Sequence, residues 1–440
     1  MRKKINANIA IGIIAAASAA LIFGFAKERK SPFVVTETTP PEVQRVVVLP
    51  PPGFDVMPAP AEPEPPKTDV QEKMTTVPLA YFPPPSVNLS GAKLGNQRVP
   101  GTDSIGDVYQ IVFHDPTQAL FMAVIEHDGT RSVWRLDQHG QVDRVFYADA
   151  HPGEITIFVD SRGTIYVMHD NPVRLYRTGD AFKSWQLVLK DAPGMFWQIA
   201  DDAKGTVWGS LHAYNDAVLY HSPDNGFSWE PWKDFQKIFP EYAVQYDPGD
   251  KRLKMRHLHG VVYNHLSDSL LVGTGDVARF TLESTDNGDT WHKVWDEGFT
   301  GSVVMSRGNR ILLCPDSLHK HGIALYDIWG KTIQEVWTPA RHNFAGYCYS
   351  MANVDGMYYA AFHTEANEVE SIVPKFGIIA SPDGITWYSF LEWGPLTHHA
   401  RSNIWLASAP ARVYASVNGA LYAFKPLDRD WFKDQTSFGK

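Results

Sequence analysis

Cysteine is the scarcest residue in this 440-residue chain, which holds two, Cys314 and Cys348. Two are too few for a disulfide scaffold. Buried free thiols are the expectation, because pairing would require neighbouring strands and an oxidising compartment. Positive charge is also in short supply: the formal net charge is −9. Phosphate contacts need a basic surface, so nucleic acid is excluded as a partner. Beyond residue 30 the basic runs shrink to Lys251, Arg252, Lys254 and Arg256, a pattern that reads as a solvated loop.

What the chain does have is strongly segregated. Small and apolar residues crowd Ile5 to Ala26, bracketed by Arg2-Lys3-Lys4 and Lys27-Glu28-Arg29-Lys30. A helix of that length covers about 33 Å, enough to cross a hydrocarbon core. A secretory signal has a shorter core, so residues 1–30 read first as an uncleaved single-pass anchor. A cleaved signal stays open, because Gly24-Phe25-Ala26 offers a small-x-small site. The remainder of the chain is then expected in a periplasm or outside the cell. Residues 31–88 hold 15 of the 31 prolines. Proline fixes φ and removes a donor, so this stretch is expected to be a disordered stalk. In extended form it would carry the next domain on the order of 100 Å from the membrane.

From about residue 105 short alternating strands replace the prolines, as in Gly163-Thr-Ile-Tyr-Val-Met168. This period argues for an all-β domain over residues 89–440. Three segments nearly repeat: Ser222-Pro-Asp-Asn-Gly-Phe-Ser-Trp229, Ser284-Thr-Asp-Asn-Gly-Asp-Thr-Trp291 and the shorter Ser381-Pro-Asp-Gly-Ile-Thr-Trp387. A weaker copy spans Arg177 to Trp185. In each full copy Asp224, Asp286 or Asp383 can accept backbone N–H groups, and Gly226, Gly288 or Gly384 supplies positive φ. Ser222, Ser284 and Ser381 close the loop, and the terminal tryptophan opens a strand and buries its ring.

These segments resemble the Asp-box, or BNR, repeat of sialidase-like β-propellers. Arg256-His-Leu-His-Gly-Val-Val-Tyr263 with Gly273-Thr-Gly-Asp276 is similar to a blade of such proteins. The resemblance implies a ring of four-stranded blades. Trp185, Trp229, Trp291 and Trp387 are 44, 62 and 96 residues apart, which leaves one unmarked blade with an outer strand ending near Trp337. Further outer strands are expected near Gln141–Phe146 and Trp431, and an insertion between Pro231 and Arg256. About seven blades follow, with six as the alternative. Closure is expected to borrow a strand from around residues 76–100.

The resemblance also implies that the Asp-box turns lie opposite the ligand face. Twelve of the 17 histidines map to loops of that second face. His127, His169, His212 and His363 occupy equivalent places after second strands and are candidates for a divalent metal. Arg256, His257, His259, Arg341, His342, His398, His399 and Arg401 lie at or before inner strands. Arginine forks suit carboxylates, so an anion or sugar-acid site is a second reading of the same face. Local hydrogen bonding is the third. Tyr214, Tyr347, Trp197 and Trp405 could stack on sugar rings or fill the core.

True sialidases carry an F-R-I-P element that is missing here, so sialidase activity is not expected. Polysaccharide lyases of similar shape use His and Tyr as acid and base, whereas other Asp-box propellers are non-catalytic and bind peptides or proteins. Recognition of a glycan or sugar acid, with glycoside hydrolysis or lyase chemistry open, is the leading expectation. A protein-binding scaffold is the alternative.

Overall fold

The computed structural model describes residues 97–435 apart from 148–152, 171, 181, 183, 214–215, 243–254, 277, 307, 316–321, 340–343, 345, 364–374 and 394–402. The chain divides into two units, residues 1–78 and 79–440. The membrane-anchor and stalk expectations for 1–30 and 31–88 lie outside the described residues. Among the described residues no helix is long and apolar enough to cross a membrane.

Seven antiparallel sheets of four strands make up the second unit. A two-residue strand β1 (Gln97–Arg98) precedes blade 1, which is β2–β5 over residues 107–147. Blades 2 and 3 are β6–β9 (155–190) and β10–β13 (195–234). Blades 4, 5 and 6 are β14–β17 (258–295), β18–β21 (299–337) and β22–β25 (347–393). Blade 7 is β26–β28 (404–424), and β1 pairs with β28 as its outer strand. The result is a seven-bladed propeller, and the six-blade alternative is excluded.

The ring holds because each blade is apolar on both broad faces, as the second strands show. β3 (Ala119–Ile125) and β23 (Met357–His363) are buried almost throughout. A strand covered on both sides loses polar–apolar alternation and reads as a continuous apolar run. Seven hydrophobic clusters occupy the seven seams, one per neighbouring pair of blades. Polar side chains staple the inner strands across these seams. Gln110 both donates to Ile157 O and accepts from Ile157 N (3.2 and 2.8 Å), and Ser350 Oγ accepts from Leu406 N at 2.9 Å. Closure uses the same device: Ser416 donates to Val108 O, and Val108 N donates to Gly419 O at 3.0 Å.

The expected outer strands near Gln141–Phe146 and Trp337 are β5 (Val142–Tyr147) and β21 (Thr332–Trp337). Trp431 differs from expectation. It begins a 3-10 turn, because blade 7 takes its outer strand from the N-terminal side instead. The insertion before blade 4 begins after Asp234, since Pro231 belongs to β13 (Glu230–Asp234). The cysteines also differ: Cys314 and Cys348 form a disulfide with a Cα–Cα separation of 5.6 Å. They face each other across the seam between blades 5 and 6, a neighbourhood that sequence separation does not show.

The three Ser-x-Asp turns each join a third strand to an outer strand and share one bonding scheme. Ser222 Oγ accepts from Gly226 N at 2.8 Å and donates to Asp224, which accepts from Ser228 N at 2.9 Å. Ser284, Gly288, Asp286 and Thr290 repeat it, as do Ser381, Gly384, Asp383 and Thr386. Trp229, Trp291 and Trp387 are buried in three different seams. The hydroxyl and amide of Thr290, together with Ser284, hold the Asp286 carboxyl down at about 2. That depressed value means the contribution is present above the ordinary value of 3.8 and lost as pH falls towards 2.

Two tests follow from this packing. Replacing both cysteines by serine should cost about 2–4 kcal/mol in urea denaturation, and the native chain should resist alkylation until reduced. Thermal stability should drop as pH falls from about 4 to about 2, and Asp286→Asn should flatten that limb of the profile; an unchanged limb would remove the turn's role.

Candidate functional site

Antiparallel meanders alternate their loops between two ends. The inner-to-second loops and the Ser-x-Asp turns therefore share one face of the ring. The second-to-third loops and the blade crossovers share the other, here called the crossover face. On this second face the seam between blades 3 and 4 gathers three imidazoles. His212 ends the second strand β11 (Val207–His212) of blade 3. His257 and His259 lie at the start of β14 (Leu258–Asn264) in blade 4. A spacing of two along extended chain places both on one side of the strand.

One ligand atom from each of the three residues lies within 4.8 Å of the others. The ring centroids are 4.1 Å apart for His212–His257, 4.7 Å for His257–His259 and 5.2 Å for His212–His259. His257 and His259 are 2% and 4% exposed, so solvent cannot freely serve their ring nitrogens. Two bonds pin the seam here: Ser210 Oγ donates to His259 O at 2.7 Å, and His257 Nδ1 lies 3.0 Å from Ala213 O. Gly275 makes room, since a methyl at its position would meet the His259 ring at 2.5 Å.

A carboxylate and a guanidinium complete the cluster. Asp276 Oδ2 lies 3.4 Å from His257 Nε2 and 2.5 Å from Arg256 Nη1. Burial works to raise the Asp276 pKa, but His257, His259 and Arg256 outweigh it and hold the carboxyl well below the usual range. Arg256 is thus engaged with Asp276 on this face.

An aromatic wall continues from the imidazoles along the inner strands. Trp197 of β10 stacks on His259 at 5.0 Å and lies 5.1 Å from His212. Tyr349 of β22 meets Trp197 edge-on at 5.0 Å and His363 at 4.1 Å, and Trp405 of β26 lies 6.2 Å beyond. Register shifts explain the placement. The β10–β11, β14–β15 and β22–β23 ladders skip between Phe196 and Ile199, Leu258 and Val261, and Tyr347 and Ser350. The skipped residues include Trp197, His259 and Tyr349, and bulges of this kind re-aim side chains.

The structure treats the sequence candidates unequally. His212, His257, His259 and Arg256 come together. His363 is buried against Tyr349, whereas His169 is buried in β7 (Ile165–Asp170) of blade 2. His127 is exposed in the turn after β3. Among the described residues no metal-type group includes His127, His169 or His363. Arg341, His342, His398, His399, Arg401 and Tyr214 lie outside the described residues. Asp276 and Tyr349 were missed as candidates. The signal was the alternation Tyr347-Cys-Tyr349, and a Gly-Thr-Gly-Asp loop facing His257-Leu-His259. An open groove beside Asp355, Arg412 and Lys425 lies on the opposite face, among inner-to-second turns, and carries no imidazole.

No family model matches the chain. No curated protein matches it. Solved propellers do. A virginiamycin B lyase from Staphylococcus aureus aligns at a TM-score of 0.53 and 11% identity, covering 76% of this chain and 99% of that one. A catalytically inactive His-to-Ala form of that lyase with quinupristin gives 0.52 and 10%, over 76% and 100%. YCF48 bound to D1 peptide gives 0.48 and 14%, over 79% and 100%. Identity this low makes the likeness one of fold.

Gly275→Ala should cost about 1–3 kcal/mol by overpacking and shift the His259 ring resonances in NMR. A silent substitution would show that the imidazoles are not tightly held.

Proposed function

We propose that the crossover face recognises an acidic glycan or sugar acid, and that the propeller works outside the cytoplasm on an N-terminal tether. The observation that carries the ligand reading is the junction of the three imidazoles with the Trp197–Tyr349–Trp405 wall. Sugar rings present C–H faces that pack on aromatic rings, and a sugar carboxylate suits a cationic or metal-bearing edge. The opposite ends of one such surface meet both needs.

The tether reading is supported by the apolar run Ile5–Ala26 and by the Cys314–Cys348 bond, since disulfides persist in oxidising compartments. Kinship with Asp-box propellers belongs to the same reading, supported by the Ser–Asp–Gly bonding repeated in three turns. In that reading the turns brace the blades and the chemistry sits on the other face.

Calorimetry of the full-length protein against oligouronides and sialylated oligosaccharides tests the ligand. Micromolar to millimolar binding is expected, and Trp197→Ala should weaken it at least tenfold, about 1.4 kcal/mol. No affinity for any acidic glycan, with a peptide or protein held at the same face instead, would establish the scaffold alternative.

A further inference from the structure

We propose that His212, His257 and His259 are the protein ligands of one divalent transition-metal ion at the blade 3–blade 4 seam, with Asp276 beside it. The role assigned to the ion, meeting the carboxylate of the sugar, rests on the glycan reading; its binding rests on the imidazoles alone.

The tautomer of His257 is set by its surroundings. A backbone carbonyl can only accept, so His257 Nδ1, 3.0 Å from Ala213 O, carries the proton. Its lone pair is then on Nε2, in the arrangement by which ligating histidines are commonly oriented. That atom faces Asp276 Oδ2 at 3.4 Å, and the Arg256 guanidinium meets the same oxygen at 2.5 Å. The three rings, with centroids 4.1–5.2 Å apart, bring one ligand atom each to a single point of the seam. One metal ion there can take a lone pair from each ring and lie beside the carboxylate at once.

The geometry is close to that of a bound site. Zinc–imidazole bonds are about 2.0–2.1 Å long, which sets ligand nitrogens roughly 3.4 Å apart in a tetrahedron. The ligand atoms lie within 4.8 Å of one another, so binding would draw the three rings together. Imidazole-rich sets favour zinc, nickel, copper and iron over magnesium or calcium. Trp197 stacks on His259 and lies 5.1 Å from His212, while Ser210 holds the His259 backbone carbonyl and Ala213 O holds the His257 ring. The ion would therefore tie two blades together as well as present an open position towards the crossover face.

The test uses the full-length protein, stripped with chelator and titrated with cobalt(II) alone. One equivalent should bind, with the visible absorption of a four- or five-coordinate ion. His212→Ala, His257→Ala and His259→Ala should each weaken binding at least tenfold, and Asp276→Asn about 10–100-fold. His127→Ala, on an exposed turn in blade 1, should change nothing. Should a buried-histidine variant not fold, the half-buried His212→Asn, checked by its melting curve, carries the decision. No bound cobalt, or affinity indifferent to all three histidines, overturns the site. Metal binding without affinity for acidic glycans keeps the site and removes the glycan reading. Glycan affinity in a chain that binds no cobalt does the reverse.

Discussion

The apolar seam between neighbouring blades is the interaction on which this structure depends. A single four-stranded sheet with two greasy faces has no stable existence in water, and two stacked sheets still expose two faces. Only a closed ring covers them all, and here each of seven seams has its own buried cluster. Closure therefore matters more than any one blade. It is achieved with little chain: two residues of β1 complete blade 7, and Ser416 and Gly419 bond back to Val108. The Cys314–Cys348 bond adds a covalent link across one more seam.

A seam has two ends, and they do different work. At the turn end, Ser-x-Asp loops fold back on themselves and their tryptophans fill the gap between sheets. Their polar groups are consumed internally, which leaves little to offer a ligand. At the crossover end the inner strands bulge, and the residues squeezed out of register include Trp197, His259 and Tyr349. A bulge costs ladder pairing, but it turns a side chain that would lie within a seam towards its mouth. Such side chains supply Trp197, His259 and Tyr349 to the candidate site, while His212 keeps its place in the ladder.

Much of the fold was legible because its signals are local. Alternation, turn residues and the repeated tryptophans report on stretches of eight to ten residues, and each repeat carries its own copy. Hence blade number and the outer strands of blades 1 and 5 could be read from spacing. Trp431 did not mark the last blade's outer strand, which comes from Gln97–Arg98, at the edge of the stretch expected to close the ring. Cysteine pairing was illegible because 34 residues separate two positions that meet only across a seam.

The site divides along this line. Residue types and period by themselves determined an all-β domain with repeated turns; the expected ring and its histidine-bearing face came from the resemblance those turns carry. Equivalent positions in different blades suggested a ring of imidazoles, His127, His169, His212 and His363. Tertiary structure instead brought His212 to His257 and His259. The ends of second strands in different blades are set apart around the ring, whereas residues at the end of one blade's second strand and the start of the next blade's inner strand share a seam. Register shifts then decide which side chains reach that seam's mouth, and a one-residue slip leaves no mark in composition or spacing. Only the packed ring specifies it.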